Sequence, residues 1–112
     1  MKEEYTLEEK EAILSVLSTL IKIDYRSYSE EHADFRQYLE ELGVDYETFS
    51  PIPHNQLKIK VKEPLRKMSK AKKREFSSMM TKIARSDGNF GPLERAFVLE
   101  ILDMCEMPFV HR

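Results

Sequence analysis

The chain has 112 residues, 34% of them charged and 41% hydrophobic, with a net charge of −2, which is the size and balance of one globular domain able to bury a core of its own. No apolar run reaches the length of a membrane span and no basic-then-apolar leader opens the chain, so a cytoplasmic location and no membrane partner are expected. The single cysteine, Cys105, excludes an internal disulfide, and His32, His54 and His111 are too scattered for a structural zinc site.

Thr6-Leu-Glu-Glu9 is a capping-box pattern, in which the threonine oxygen accepts from the third helical N–H and the glutamate reaches back. Ile13, Val16, Leu17 and Leu20 then recur at helical spacing, which predicts a first helix over 7–23. A second amphipathic stretch begins near Ser29, with Phe35, Tyr38, Leu39 and Leu42 on one face, and Gly43 stands where a left-handed C-cap is wanted. Residues 45–49 suggest one further helical turn, and the two prolines of Ser-Pro-Ile-Pro (50–53) mark a linker.

Leu57, Ile59 and Val61 alternate as in a strand, while Leu57, Val61, Leu65 and Met68 fit a helix. A lone strand has no partner here, so a short helix broken near Pro64 is expected. Ser69 caps a long helix with Phe76, Met79, Met80 and Ile83 inward. Pro92 opens the last helix, which runs to about Met107. Leu93, Phe97, Val98, Ile101, Leu102, Met104 and Cys105 make it apolar over most of its circumference, so it is expected to be the most buried element. Met79, Met80 and Met104 read as core filler, and Cys105 as a small buried hydrophobe.

The near-neutral total hides a segregation of charge: −8 over 1–50, +9 over 51–86 and −3 over 87–112. The basic block KIKVKEPLRKMSKAKKR (58–74) has the form of an electrostatic footprint for nucleic acid or an acidic partner. In a domain that is acidic overall, the simpler expectation is a solvated face pairing with the acidic first third, and no specific nucleic-acid site.

The two halves match at a fixed offset of 63 residues: Thr6 with Ser69, Lys10 with Lys73, Leu17 with Met80, Asp24 with Asp87, Glu31 with Glu94 and Leu39 with Leu102 are among the aligned pairs. Each unit is a capped helix, a loop opened by aspartate, and a second helix with glutamate in its first turn. The expected fold is all-α: one domain over 1–112, a compact bundle of two helix–loop–helix halves (6–45 and 69–108) about a pseudo-twofold axis, joined by a connector over 46–68. Asp24 and Asp87 continue the apolar stripes of their helices, and Glu31 and Glu94 lie on the apolar faces of theirs. All four acids therefore point inward at helix ends, where a carboxylate must have partners. Those partners are either loop and helix-start N–H groups or a divalent cation.

The segment MSKAKKREFSSMMTKIARSDGNFGPLERAFVLEILDMCEMP (68–108) resembles the second half of the TerB-like family, named for a tellurite-resistance protein. Ala84, Asp87, Gly88, Phe90 and Glu94 match that family's A-x-x-D-G-x-(I/F)-x-x-x-E corner at every position. LIKIDYRSYSEEHADFRQYLEELGVD (20–45) carries Asp24 and Glu31 but has Tyr25 in place of the glycine. The resemblance implies an all-helical fold of two related halves, a small cytoplasmic domain or attached module, and an association with tellurite or chemical-stress response. It also implies corner acids that bind metal or form an interaction surface.

The sequence contains no Ser/His/Asp or Cys/His arrangement from which to argue an enzyme. An interaction or adaptor domain with a protein partner is the leading expectation. A divalent-metal module using Asp24, Glu31, Asp87 and Glu94 is the alternative, although one corner offers few ligands for a cation that takes six to eight oxygens. Tyr25, Arg26 and Tyr28 form a possible aromatic patch, read as local packing. The corner over 84–97 has a local reason for each of its unusual residues, so it is expected to be structural before it is functional.

Overall fold

A computed structural model of the chain describes residues 3–23, 33–85 and 91–107. They form five helices: α1 (Leu7–Ile23), α2 (Ala33–Leu42), α3 (His54–Arg66), α4 (Lys70–Arg85) and α5 (Pro92–Met104). No strand occurs among the described residues. The expected all-helical class holds, in a body of 31 × 31 × 28 Å.

Helix α1 starts where its sequence says it must. The Glu9 N–H donates to Thr6 Oγ1 (3.1 Å) and the Thr6 N–H to Glu9 Oε1 (2.8 Å), so two N–H groups that no helical carbonyl can reach are satisfied reciprocally. Ser69 does the same work for α4, its Oγ accepting the Lys72 N–H at 3.2 Å. The helix ends also match. At the end of α2 Gly43 takes φ +70°, with Val44 N–H on Leu39 O (2.9 Å) and Gly43 N–H on Glu40 O (3.0 Å). At the end of α5 Glu106 takes φ 55°, with Met107 N–H on Leu102 O (2.8 Å) and Glu106 N–H on Asp103 O (3.2 Å). Both are the 6→1 and 5→2 pairs of a Schellman motif. The left-handed residue of the second falls just after Cys105, so α5 stops short of Met107.

The core is organised around α1. Every residue from Ala12 to Ile21 is buried, about three turns covered on all sides. This corrects the expectation that the last helix is the most buried, for α5 leaves Leu93 69% and Leu99 46% exposed. The reason lies in the small side chains of α1. Ala12, Ser15, Ser18 and Thr19 look polar or indifferent in a periodicity count, yet all are buried, and small residues let neighbouring helices come close. Helix α1 packs against all four others, most extensively against α3. Helix α2 also packs against α4, and α5 against α4 and α3.

Residues 45–49 make the expected turn: Asp45 Oδ1 accepts the Glu47 N–H (3.0 Å) and Asp45 O the Phe49 N–H (3.0 Å). The proline-flanked linker is held by one buried bond, Ile52 N–H to Ser15 Oγ at 2.9 Å. The helix that follows is longer than expected. Helix α3 continues through Pro64 to Arg66 and buries Leu57, Val61 and Leu65. Proline removes one N–H and crowds the carbonyl four residues earlier. Here that carbonyl belongs to Lys60, an exposed residue that water can reach, and only the last turn of the helix is affected.

Candidate functional site

Of the four acids singled out by the sequence, Asp24, Glu31 and Asp87 lie outside the described residues, as do Gly88, Phe90 and the Tyr25–Arg26–Tyr28 patch. Glu94 is described. It is only 6% exposed, so it faces inward as its position on the helix requires, and its Oε1 accepts the Gly91 N–H at 3.2 Å. Glu94 is the third residue of α5 and Gly91 its N-cap. A carboxylate there meets unsatisfied N–H groups and the positive end of the helix dipole. Among the described residues, no three His, Cys, Asp or Glu side chains gather as a metal-holding group.

The basic block is distributed over α3 and the start of α4, and its ion pairs differ from the expected pattern. Among the described residues, only Lys72 of the block reaches the acidic first third, through Glu9 at 2.8 Å. Lys67 and Arg66 pair with Glu63 inside the block, Arg66 also with Glu106, and Lys58 with Glu100 on α5. The acids that pair with α3 are Glu63 of α3 itself, Glu100 on α5 and Glu106 just beyond α5. From further along α4, Lys82 pairs with Asp34 at 3.7 Å. Lys60, Lys62, Lys70 and Arg74 are exposed and make no ion pair with any described residue.

The outer face of α3 has a further property. With Leu57, Val61 and Leu65 turned into the core, helical geometry puts Ile59 at the middle of the opposite face, with Lys60 and Lys62 on its flanks. Ile59 is 81% exposed. A β-branched aliphatic side chain held in water there, beside the lysines and beside Glu63, whose carboxylate pairs with Arg66 and Lys67, contributes nothing to the core.

The contact between α1 and α4 is a mixed cluster. The Lys72 ammonium sits 5.5 Å from the Tyr5 ring centre, and the Tyr5 hydroxyl donates to Glu75 Oε1 at 2.7 Å. Burial first, and then the Glu75 carboxylate, push the Tyr5 phenol far above its ordinary range. Burial opposes the charge on Glu9, but the Lys72 ammonium and the Thr6 N–H outweigh it and hold the carboxyl below its usual value. Cys105 is fully buried and its thiol is pushed up to about 11 by that burial, so it is a packing residue and not a nucleophile.

Clefts lie beside α1 at two places among the described residues. One, of about 360 Å³, lies between the start of α1 and the 44–50 turn and is lined by Leu7, Leu14, Val44 and Phe49 among others. The other, of about 390 Å³, lies between the last turns of α1 and the start of α3, where Ser18, Thr19 and Lys22 face Ile52 and His54. Sequence reasoning found neither, because each joins segments about 30 or more residues apart whose members follow no motif. The only signal in the sequence was the Ser15, Ser18, Thr19, Lys22 stripe at helical spacing.

Comparison of the chain with protein-family models, with curated proteins and with solved structures finds no match.

Proposed function

We propose that this chain is a non-enzymatic, TerB-like interaction module, built from two related halves, that docks an acidic segment of a protein partner on the outer face of α3. The observation that carries the docking surface is Ile59, 81% exposed between Lys60 and Lys62, which are exposed and pair with no described residue. An aliphatic anchor in a basic surround is complementary to an acidic peptide carrying an apolar residue.

The two-halved reading is supported by hydrogen bonds that recur 63 residues apart. The caps at Thr6 and Ser69 bond the N–H groups of Glu9 and Lys72. The chain reversals at Gly43 and Glu106 carry the same two backbone bonds. Exchanging α1 with α4 and α2 with α5 also maps the contacts among these four helices onto themselves. Helix α3 has no counterpart in this scheme. It lies outside the repeat, and it carries the exposed isoleucine and the lysines that pair with no described residue.

A photo-crosslinking residue at position 59 tests the reading in cells, with one at the exposed Ser78 on α4 as control. A discrete adduct from position 59 alone is expected, whose protein component binds purified wild type and binds Ile59→Asp more weakly. The same adducts from both positions, or an affinity unchanged by Ile59→Asp, would overturn it.

The second reading, a divalent-cation module formed by Asp24, Glu31, Asp87 and Glu94, is favoured by one observation, the burial of Glu94. The bond from the Gly91 N–H gives that burial a local reason, so the interaction module is preferred.

A further inference from the structure

The cleft between α1 and the start of α3 has a composition that packing alone does not require. Ser15, Ser18, Thr19 and Lys22 share one stripe of α1, and the Ile52 N–H bond to Ser15 Oγ holds that stripe against the linker leading into α3. Within it Thr19 is 8% exposed, more than nine-tenths buried, and lines the cleft. Its hydroxyl has no hydrogen-bond partner among the described residues. A buried hydroxyl left unsatisfied is costly and uncommon. Lys22, one turn further on, lines the same cleft and has no ion-pair partner among the described residues.

The third wall is the N-terminus of α3. Pro53 is its N-cap and supplies no side-chain cap. The Gln56 N–H bonds to the Pro53 carbonyl at 2.9 Å, which leaves the His54 and Asn55 N–H groups without a side-chain cap and with the positive end of a 13-residue helix dipole behind them. His54, the first residue of that helix, also lines the cleft. A buried hydroxyl, an ammonium, an imidazole and uncapped helix-start N–H groups thus converge on about 390 Å³, within the usual size range of small-molecule sites.

We propose that this cleft binds the phosphate group of a small molecule, with Thr19 donating its hydroxyl hydrogen, Lys22 supplying the balancing charge and the start of α3 supplying backbone N–H donors. The tetrahedral group accepts from several directions at once, which suits donors arriving from two helices. The site is separate from the outer face of α3 and stands without it.

The test is a titration of the intact chain with inorganic phosphate at constant ionic strength, followed by amide chemical shifts, with acetate as a parallel arm. The expected result is a saturable shift at the amides of Thr19, His54 and Asn55 in wild type. Thr19→Val and Lys22→Ala should each weaken it about tenfold. Thr19→Val should melt no lower than wild type, because it removes a hydroxyl that has no partner among the described residues, and this separates lost binding from lost folding. The absence of a saturable shift, an equal response in the variants, or an equal or stronger response to acetate would overturn the proposal.

Discussion

Gly43 and Glu106, 63 residues apart, both adopt the left-handed conformation, at φ +70° and 55°, and end their helices with the same two backbone hydrogen bonds. Glycine does this without steric cost, whereas a residue with a Cβ is strained there. Glu106→Gly should therefore stabilise the chain by roughly 0.5–1 kcal/mol, and Gly43→Ala should destabilise it by a similar amount. A Cβ at Gly43 meets nothing within 4 Å, so the second effect is conformational and not a clash. Denaturant midpoints of the two variants check both signs; a neutral Glu106→Gly would mean that another interaction of Glu106 offsets its strain.

Ser15 is the only hydrogen-bond anchor that the described residues provide for the Ile52 N–H. Both are buried. Ser15→Ala should cost about 1–3 kcal/mol, more than its loss of a single oxygen suggests. Amide exchange at Ile52 should quicken in the same variant.

Glu9 and Lys72 join the starts of α1 and α4, with side chains 12% and 19% exposed. The folded pKa of Glu9 lies below its ordinary value of 4.5. The bridge therefore contributes fully above that ordinary value and is lost as pH falls through the folded pKa. A double-mutant cycle of Glu9→Gln and Lys72→Met should give a coupling of about 1 kcal/mol at neutral pH. The coupling should vanish on acidification below the carboxylate range. A coupling that persists in acid would assign the contact to packing of Lys72 on the Tyr5 ring.

Glu94 serves the start of α5 in this account, so its contribution should not depend on metal. Glu94→Gln should cost about 1 kcal/mol, by the same amount in chelator and in millimolar calcium, magnesium or manganese. Thermal melts of wild type, Glu94→Gln and Asp87→Asn provide the comparison. A cation-dependent rise in wild type that disappears in both variants would establish the metal module instead, since a ligand that binds only the folded state stabilises by mass action.

Much of the fold was legible because its helix ends are written in local chemistry. Thr6, Glu9, Ser69 and Gly43 mark boundaries through bonds to backbone groups within a few residues of themselves, and Pro92 marks one by a fixed φ and a missing N–H that a first helical position does not need. The ranking of the helices by burial was not legible. Leu93 and Leu99 make α5 look as apolar as a central helix must be, yet they face outward, while Ser15, Ser18 and Thr19 lie inside α1. Hydrophobic periodicity weighs side-chain type and is blind to how closely two backbones approach. The path of α3 through Pro64 depended on whether the Lys60 carbonyl is exposed, which only the packing decides. Of the acidic corners, only Glu94 falls among the described residues. The α1–α3 cleft escaped because Thr19 and His54 are neighbours solely through the fold.

The central claim is that the exposed lysines around Ile59 select an acidic partner, and the most direct measurement is reciprocal charge reversal with the partner captured at position 59. Lys60→Glu combined with Lys62→Glu should weaken binding about tenfold or more, and raising the salt concentration should narrow the difference. Reversing the acidic residues of the partner's segment should restore the affinity of the double variant. An affinity that stays within about twofold of wild type at low salt, with no rescue by the reversed partner, would contradict the account.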